Sequence, residues 1–138
     1  MTHIIDAKKI AGDILDQFAD GVGAFKSRHS VAPGLAVVQV GDDPANQIYV
    51  SNEVRTAKKV GLVSIEYRLP QDSSQETVNS LIDRLNGHPS VHGILVQLPL
   101  PDHLDANQVI NLINTEKDVD GFHPVNVGTL SLGRPTLT

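Results

Sequence analysis

The sequence contains no cysteine and no tryptophan. The missing cysteine excludes disulfides, thiolate zinc sites and a cysteine nucleophile, and it fits a reducing compartment. With aromatic residues at only 4%, the core has to be assembled from Ile, Leu, Val and Ala. No run of Lys and Arg occurs either. The longest basic groupings are the pairs Lys8-Lys9 and Lys58-Lys59, each read as a solvated helix face. Together with a net charge of -5, this argues against a nucleic-acid-binding surface. No apolar stretch approaches membrane-spanning length, and the start, Met1-Thr2-His3-Ile4-Ile5-Asp6, turns polar too soon for a signal peptide. The expectation is a soluble cytoplasmic protein with no membrane and no nucleic-acid partner. Its 138 residues suit one domain, 1–138, with a real core.

What is present is regular alternation. Ile10, Ile14, Phe18, Val22 and Phe25 form one apolar stripe on a long first helix, roughly Asp6 to Arg28, weakened by Gly21 and Gly23. After Pro33-Gly34, the run Leu35-Ala36-Val37-Val38-Gln39-Val40 reads as a strand covered on both faces. Asp43 before Pro44 reads as an N-cap with proline at the first helical position, and that helix runs to about Lys59 ahead of Gly61. Leu62 to Leu69 alternates as a second strand, ended by Pro70. Ser73 with Glu76 offers a capping box for a helix through Val78, Leu81, Ile82 and Leu85, closed by Gly87-His88-Pro89. The buried strand Gly93 to Leu98 follows, stopped by Pro99, and then a helix from about Asp105 carrying Val109, Ile110, Leu112 and Ile113. The order α-β-α-β-α-β-α implies an α/β fold, a three-layer α-β-α domain with a mainly parallel sheet. The tail from Ser131 to Thr138 has no periodicity and reads as cut rather than finished.

Two segments promise chemistry. Gln97 stands at the end of a buried strand, where parallel sheets deliver side chains into a ligand crevice. A long amide is costly to bury unless something pairs with it. Taken alone, it reads equally well as a strand-end amide bonded to loop backbone. Twenty residues on, Lys117-Asp118-Val119-Asp120-Gly121-Phe122-His123 is acidic and turned by glycine, and Asp118 and Asp120 read alone as turn and capping residues. On the second helix, Val50, Val54 and Ala57 form the buried stripe, and Tyr49, Glu53 and Thr56 an adjacent one. The plain reading there is a boundary tyrosine beside a solvated glutamate. His88, His92, His103 and His123 have no metal-ligand spacing, and Gly41-Asp42-Asp43 lacks the glycines of a phosphate-binding loop.

In order, the segments Pro33-Gly34-Leu35-Ala36, Val40-Gly41, Pro44-Ala45, Tyr49-Val50, Gly93-Ile94-Leu95-Val96-Gln97-Leu98-Pro99-Leu100-Pro101, Lys117-Asp118-Val119-Asp120-Gly121-Phe122-His123-Pro124 and Asn126-Val127-Gly128 closely resemble the bifunctional methylenetetrahydrofolate dehydrogenase/methenyltetrahydrofolate cyclohydrolase family. The resemblance covers essentially the whole chain. It implies an oxidoreductase and hydrolase of cytoplasmic one-carbon metabolism, with tetrahydrofolate derivatives as substrates and NADP as cofactor. It also implies a homodimer for the full-length protein. Position by position, Tyr49 matches the tyrosine that stacks on the aminobenzoyl ring. Gln97 matches the glutamine that holds the catalytic lysine, and Asp120 the aspartate that pairs with the pterin nitrogens. Leu98 and Pro99 would line the apolar wall of the same pocket. An ionised carboxylate suits a donor-rich pterin edge, and an aromatic face suits a flat ring.

Two departures qualify the resemblance. The family pattern Ser-x-x-Tyr-x-x-x-Lys stands here as Asn46 to Glu53, with Asn46 for serine and Glu53 for the catalytic lysine. A desolvated lysine becomes a neutral base or donor, whereas an ionised carboxylate donates nothing. The alternative that follows is a folate-binding module without turnover. The second departure is length. The family's C-terminal Rossmann domain is expected to be lacking, so this chain is expected to hold no NADP site and to leave an apolar patch exposed.

Overall fold

The computed structural model describes residues 5–42 and 44–134, with backbone alone over 44–47. The expected cap at Asp43, the opening Met1 to Ile4, the side chain of Asn46 and the last residues of the tail, Pro135 to Thr138, lie outside the described residues. The elements are α1 Ala7–His29, β1 Gly34–Val40, α2 Pro44–Lys59, β2 Val63–Leu69, α3 Gln75–Gly87, β3 Gly93–Val96, α4 Ala106–Leu112 and α5 Pro124–Ser131. The three strands are parallel in the order β2-β1-β3.

The central strand β1 is sealed on both faces: Ala36, Val37 and Val38 have no exposed surface. Ala36, Val38 and Val40 share one side with Ile94 and Val96 of β3, and pack on Val78, Leu81, Ile82 and Leu85 of α3 and Val109 of α4. Each fully buried aliphatic side chain of this layer contributes about 1.5–3 kcal/mol. The opposite side carries Val37 and is covered by α2, which contacts β1 and β2 and buries Val50 and Ala57. Helices on both faces of a parallel sheet give the three layers that the alternation predicts.

Three expectations need correction. The cap of α3 is Ser74, not Ser73: the Ser74 Oγ accepts from the Thr77 N–H at 3.1 Å. Ser74 is extended, with φ -72° and ψ 157°, so the helix starts one residue later and Glu76 falls one position short of a capping box. Ser73 is instead buried, its carbonyl within 2.9 Å of the His103 ring.

The second correction is an additional helix, α5, which lies where no element was expected; the order ends α-α. Pro124 opens it, and the His123 Nδ1 accepts from the Val125 N–H at 3.2 Å, an arrangement that a proline at the first helical position favours.

The third concerns α1. Its stripe is not core: only Val22 is buried, while Ile10, Ile14 and Phe18 are 49–58% exposed. Val22 lies against Gly61, where an added Cβ would stand 3.3 Å from its Cγ1, and the rest of the stripe faces solvent. Gly21 and Gly23 do not end the helix, which continues to a left-handed Ser30 whose N–H bonds the Lys26 carbonyl. Exposed apolar side chains therefore lie along α1, and Val125, Val127 and Leu130 of α5 are exposed as well.

Candidate functional site

Parallel strands bring their C-terminal ends to one edge of the sheet, and ligand crevices of open α/β sheets lie there. Three segments meet at that edge. The helix α2 leaves the end of β1 and runs back over the sheet, with Tyr49 in its second turn and Glu53 in its third. Gln97 directly follows β3. The Lys117–Asp118 segment lies beside β3 in parallel, bridged at Asp118 to Ile94, whose N–H bonds the Lys117 carbonyl at 2.7 Å. That direction carries Asp120 toward the Gln97 end. The approach is close at Gly93: a Cβ there would stand 2.6 Å from the Val119 Cγ1, so a larger residue would force the Val119 side chain to shift.

Gln97 is half-buried, its backbone N–H tied to the Val38 carbonyl at 2.8 Å. Its amide nitrogen reaches the Leu98 carbonyl only at 3.4 Å, a loose contact that a better acceptor would displace. Leu98 is half-buried against the core, and Pro99, joined to it by a cis peptide, is exposed. Both can line the crevice. Leu100 is in the core, 8% exposed, and faces away from it. Tyr49 leaves 63% of its surface open, so its ring face is free to stack.

The electrostatics are dominated by carboxyl groups. Glu53 is half-buried, and its Oε2 is shielded from solvent with no hydrogen-bond partner among the described residues. Burial, and then the negative charge of Asp120, push its pKa above the ordinary value of 4.5. Asp120 is raised as well, by burial and then by Asp118. The fold thus sets Glu53 of α2 and Asp120 of the acidic loop within reach of each other's charge.

Asp118 differs from its neighbours. It is 3% exposed, and its Oδ2 accepts from the His123 N–H at 2.8 Å and the Asn126 Nδ2 at 2.9 Å. Reading Asp118 as a turn and capping residue therefore describes its bonds. Gly121, at φ 68°, makes the turn between them, a conformation that costs any residue with a Cβ about 1–2 kcal/mol.

Residue patterns did not single out Asn126, which the helix α5 brings under the loop. They also passed over Gln39, which looked like one more position in an apolar strand. Gln39 is 1% exposed, its Nε2 bonds the Gly41 carbonyl at 3.1 Å, and its Oε1 has no partner among the described residues. The one available signal was a lone amide in an otherwise aliphatic run.

In the turn after β1, the Gln71 side chain stands in front of Gly41, and Asp42 beside it is exposed. Among the described residues, no three His, Cys, Asp or Glu side chains gather as a metal site. A cleft of about 580 Å³ lies elsewhere, between β2 and α3, lined by Tyr67, Arg68, Leu81 and Arg84 among others. It contains none of Tyr49, Glu53, Gln97 or Asp120.

Residues 5–120 match the family model of the tetrahydrofolate dehydrogenase/cyclohydrolase catalytic domain. The chain is 49% identical over 134 residues to bifunctional protein FolD 2 of Paracoccus denitrificans, covering 97% of this chain and 44% of that protein. Among solved structures, it is similar to a 5,10-methylenetetrahydrofolate dehydrogenase from the silkworm Bombyx mori. That likeness has a TM-score of 0.95 and 39% identity, over 100% of this chain and 48% of the other. The methylenetetrahydrofolate dehydrogenase-cyclohydrolase of Trypanosoma brucei, complexed with NADP cofactor and inhibitor, matches with a TM-score of 0.91 and 32% identity, over 98% of this chain and 46% of the other. The chain spans less than half the length of these relatives.

Proposed function

The chain belongs to the tetrahydrofolate dehydrogenase/cyclohydrolase family, and on that premise we propose that it is the folate-binding catalytic domain of a bifunctional enzyme. The parent would oxidise 5,10-methylene-tetrahydrofolate with NADP and hydrolyse 5,10-methenyl-tetrahydrofolate to 10-formyl-tetrahydrofolate. What supports this reading is topology: α2 with Tyr49, the end of β3 at Gln97 and the loop with Asp120 all belong to the C-terminal edge of the parallel sheet. There, Tyr49 offers an open ring to the flat aminobenzoyl group. Asp120, ionised, accepts from the pterin amino and ring nitrogens. Gln97 faces the one-carbon centre with a loosely held amide, and Leu98 and Pro99 supply apolar wall.

When bound, NADP supplies the hydride acceptor. Gly41-Asp42-Asp43 lacks the glycines of a phosphate-binding loop, and we place that cofactor outside residues 1–138, in a second domain of the parent. A homodimeric, cytoplasmic parent working in one-carbon metabolism completes the proposal. Titrating the chain with 5-formyl-tetrahydrofolate in a calorimeter tests the folate site. Asp120→Ala is expected to weaken binding about 10- to 100-fold, as loss of charge-assisted hydrogen bonds does. Equal affinity in both forms would remove Asp120 from the site.

A second reading, folate binding without turnover, is favoured by one observation: the Glu53 Oε2 is shielded from solvent, with no hydrogen-bond partner among the described residues, and it feels the charge of Asp120. An ammonium at this position would pair with Asp120 and present donors to the one-carbon centre. A carboxyl there repels the charge of Asp120 and, when ionised, donates nothing. Methenyl-tetrahydrofolate hydrolysis, followed by the loss of its absorbance, is expected to rise at least about 100-fold in Glu53→Lys, the scale of general acid–base catalysis. Hydrolysis by the unaltered chain at the lysine variant's rate would overturn this second reading.

A further inference from the structure

We propose that Asp118 and Asn126 are positioning residues that hold Asp120 in register with the pterin edge of a reduced folate. The inference rests on the folate reading above and extends it to residues that no ligand would touch.

The argument starts from the loop itself. Asp120 follows Asp118 by two residues, ahead of a turn that only glycine adopts cheaply. A carboxylate on such a loop would swing freely unless both sides of the turn were tied. Asp118 ties them. Its backbone is fixed to β3 by the bridge at Ile94, and its Oδ2 takes the His123 N–H at 2.8 Å, beyond the turn. The loop is thus closed into a ring by one side-chain bond spanning five residues.

That bond alone leaves the Asp118 side chain free to rotate. Asn126 removes the freedom. The Asn126 Nδ2 donates to the same Oδ2 at 2.9 Å and to the Thr115 carbonyl at 3.0 Å, on the approach to the acidic segment. Asn126 is itself buried, 7% exposed, in the first turn of α5. One amide therefore grips the loop before and at Asp118, while Asp118 grips it after the turn. Two charge-assisted bonds to a buried carboxylate resist displacement far more than neutral ones. The cost of burying that charge is justified if the loop must present Asp120 in one place, because directional pairing with two adjacent ligand nitrogens tolerates little movement.

A double-mutant cycle separates positioning from general support. The affinity of the chain for 5-formyl-tetrahydrofolate is measured by calorimetry for wild type, Asp118→Asn, Asp120→Asn and the double variant. Asp120→Asn keeps one acceptor and so leaves a measurable affinity. If Asp118 acts through Asp120, Asp118→Asn weakens binding about 10-fold alone and less than about 2-fold in the Asp120→Asn background, since residues in one network are non-additive. Equal losses in both backgrounds would overturn the inference in favour of a purely structural role. Wild-type affinity in a folded Asp118→Asn variant would overturn it as well. If Asp118→Asn does not fold, Asn126→Ala is carried through the same cycle with the same criteria. If Asp120→Asn binds like wild type, Asp120 leaves the site and the inference is overturned, whereas absence of binding by the wild-type chain is the distinct outcome in which the folate reading itself fails.

Discussion

At the residue scale, Glu53 sets the character of the crevice. Its carboxyl is held above its ordinary 4.5, first by burial and second by Asp120. A carboxyl raised on folding stabilises the fold fully below the unfolded value, and that contribution is lost as pH rises through the folded one. Ionised Glu53 is therefore a liability at neutral pH. Glu53→Gln is expected to raise the urea midpoint at pH 7 and to leave it unchanged near pH 4, where the acid is already neutral. Glu53→Lys should raise it too at pH 7 by pairing with Asp120, by no more than about 1 kcal/mol for so open a pair. Strand ends and helical angles pointed to Gln97 and to the Tyr49–Glu53 stripe, whereas Asp120 alone read as a turn residue and drew its role from the family resemblance. The adjacency of Glu53 and Asp120 was not legible. It depends on how far α2 and a loop some seventy residues later approach across the sheet, and no local pattern encodes that distance.

At the scale of elements, periodicity found β1, β2, β3 and the first four helices because each carries an apolar pattern of fixed period, which α1 leaves largely exposed. It missed α5, whose exposed Val125, Val127 and Leu130 leave only Asn126 buried, so there is no apolar stripe to detect. The proline after His123 was the one start signal. The misplaced cap on α3 has a similar origin: two serines stand side by side, and the choice between them is made by burial of Ser73 under His103. The two positions separate in experiment. Ser74→Ala is expected to cost about 1 kcal/mol, the usual loss for a removed N-cap oxygen. Chemical denaturation of Ser74→Ala and Glu76→Ala would show the difference, since Glu76 closes no capping box and should cost less than about 0.5 kcal/mol.

For the whole molecule, burial predicts a sharp division. Ile82→Ala, at a position with no exposed surface, is expected to cost about 2–5 kcal/mol. Phe18→Ser on α1, where the ring is 52% exposed, should change stability by less than about 0.5 kcal/mol. Thermal or urea unfolding of the two variants checks both. The spatial order β2-β1-β3 has a further consequence, for how the chain is made. Its central strand is the first strand to leave the ribosome, and both of its neighbours come later: β2 begins 29 residues after β1, and β3 only after α3 has been added. Until then Leu35 to Val40 is a sticky ribbon with two open edges and no cover. The oldest strand of the sheet waits longest for its place, and synthesis is when this protein is most vulnerable to wrong partners.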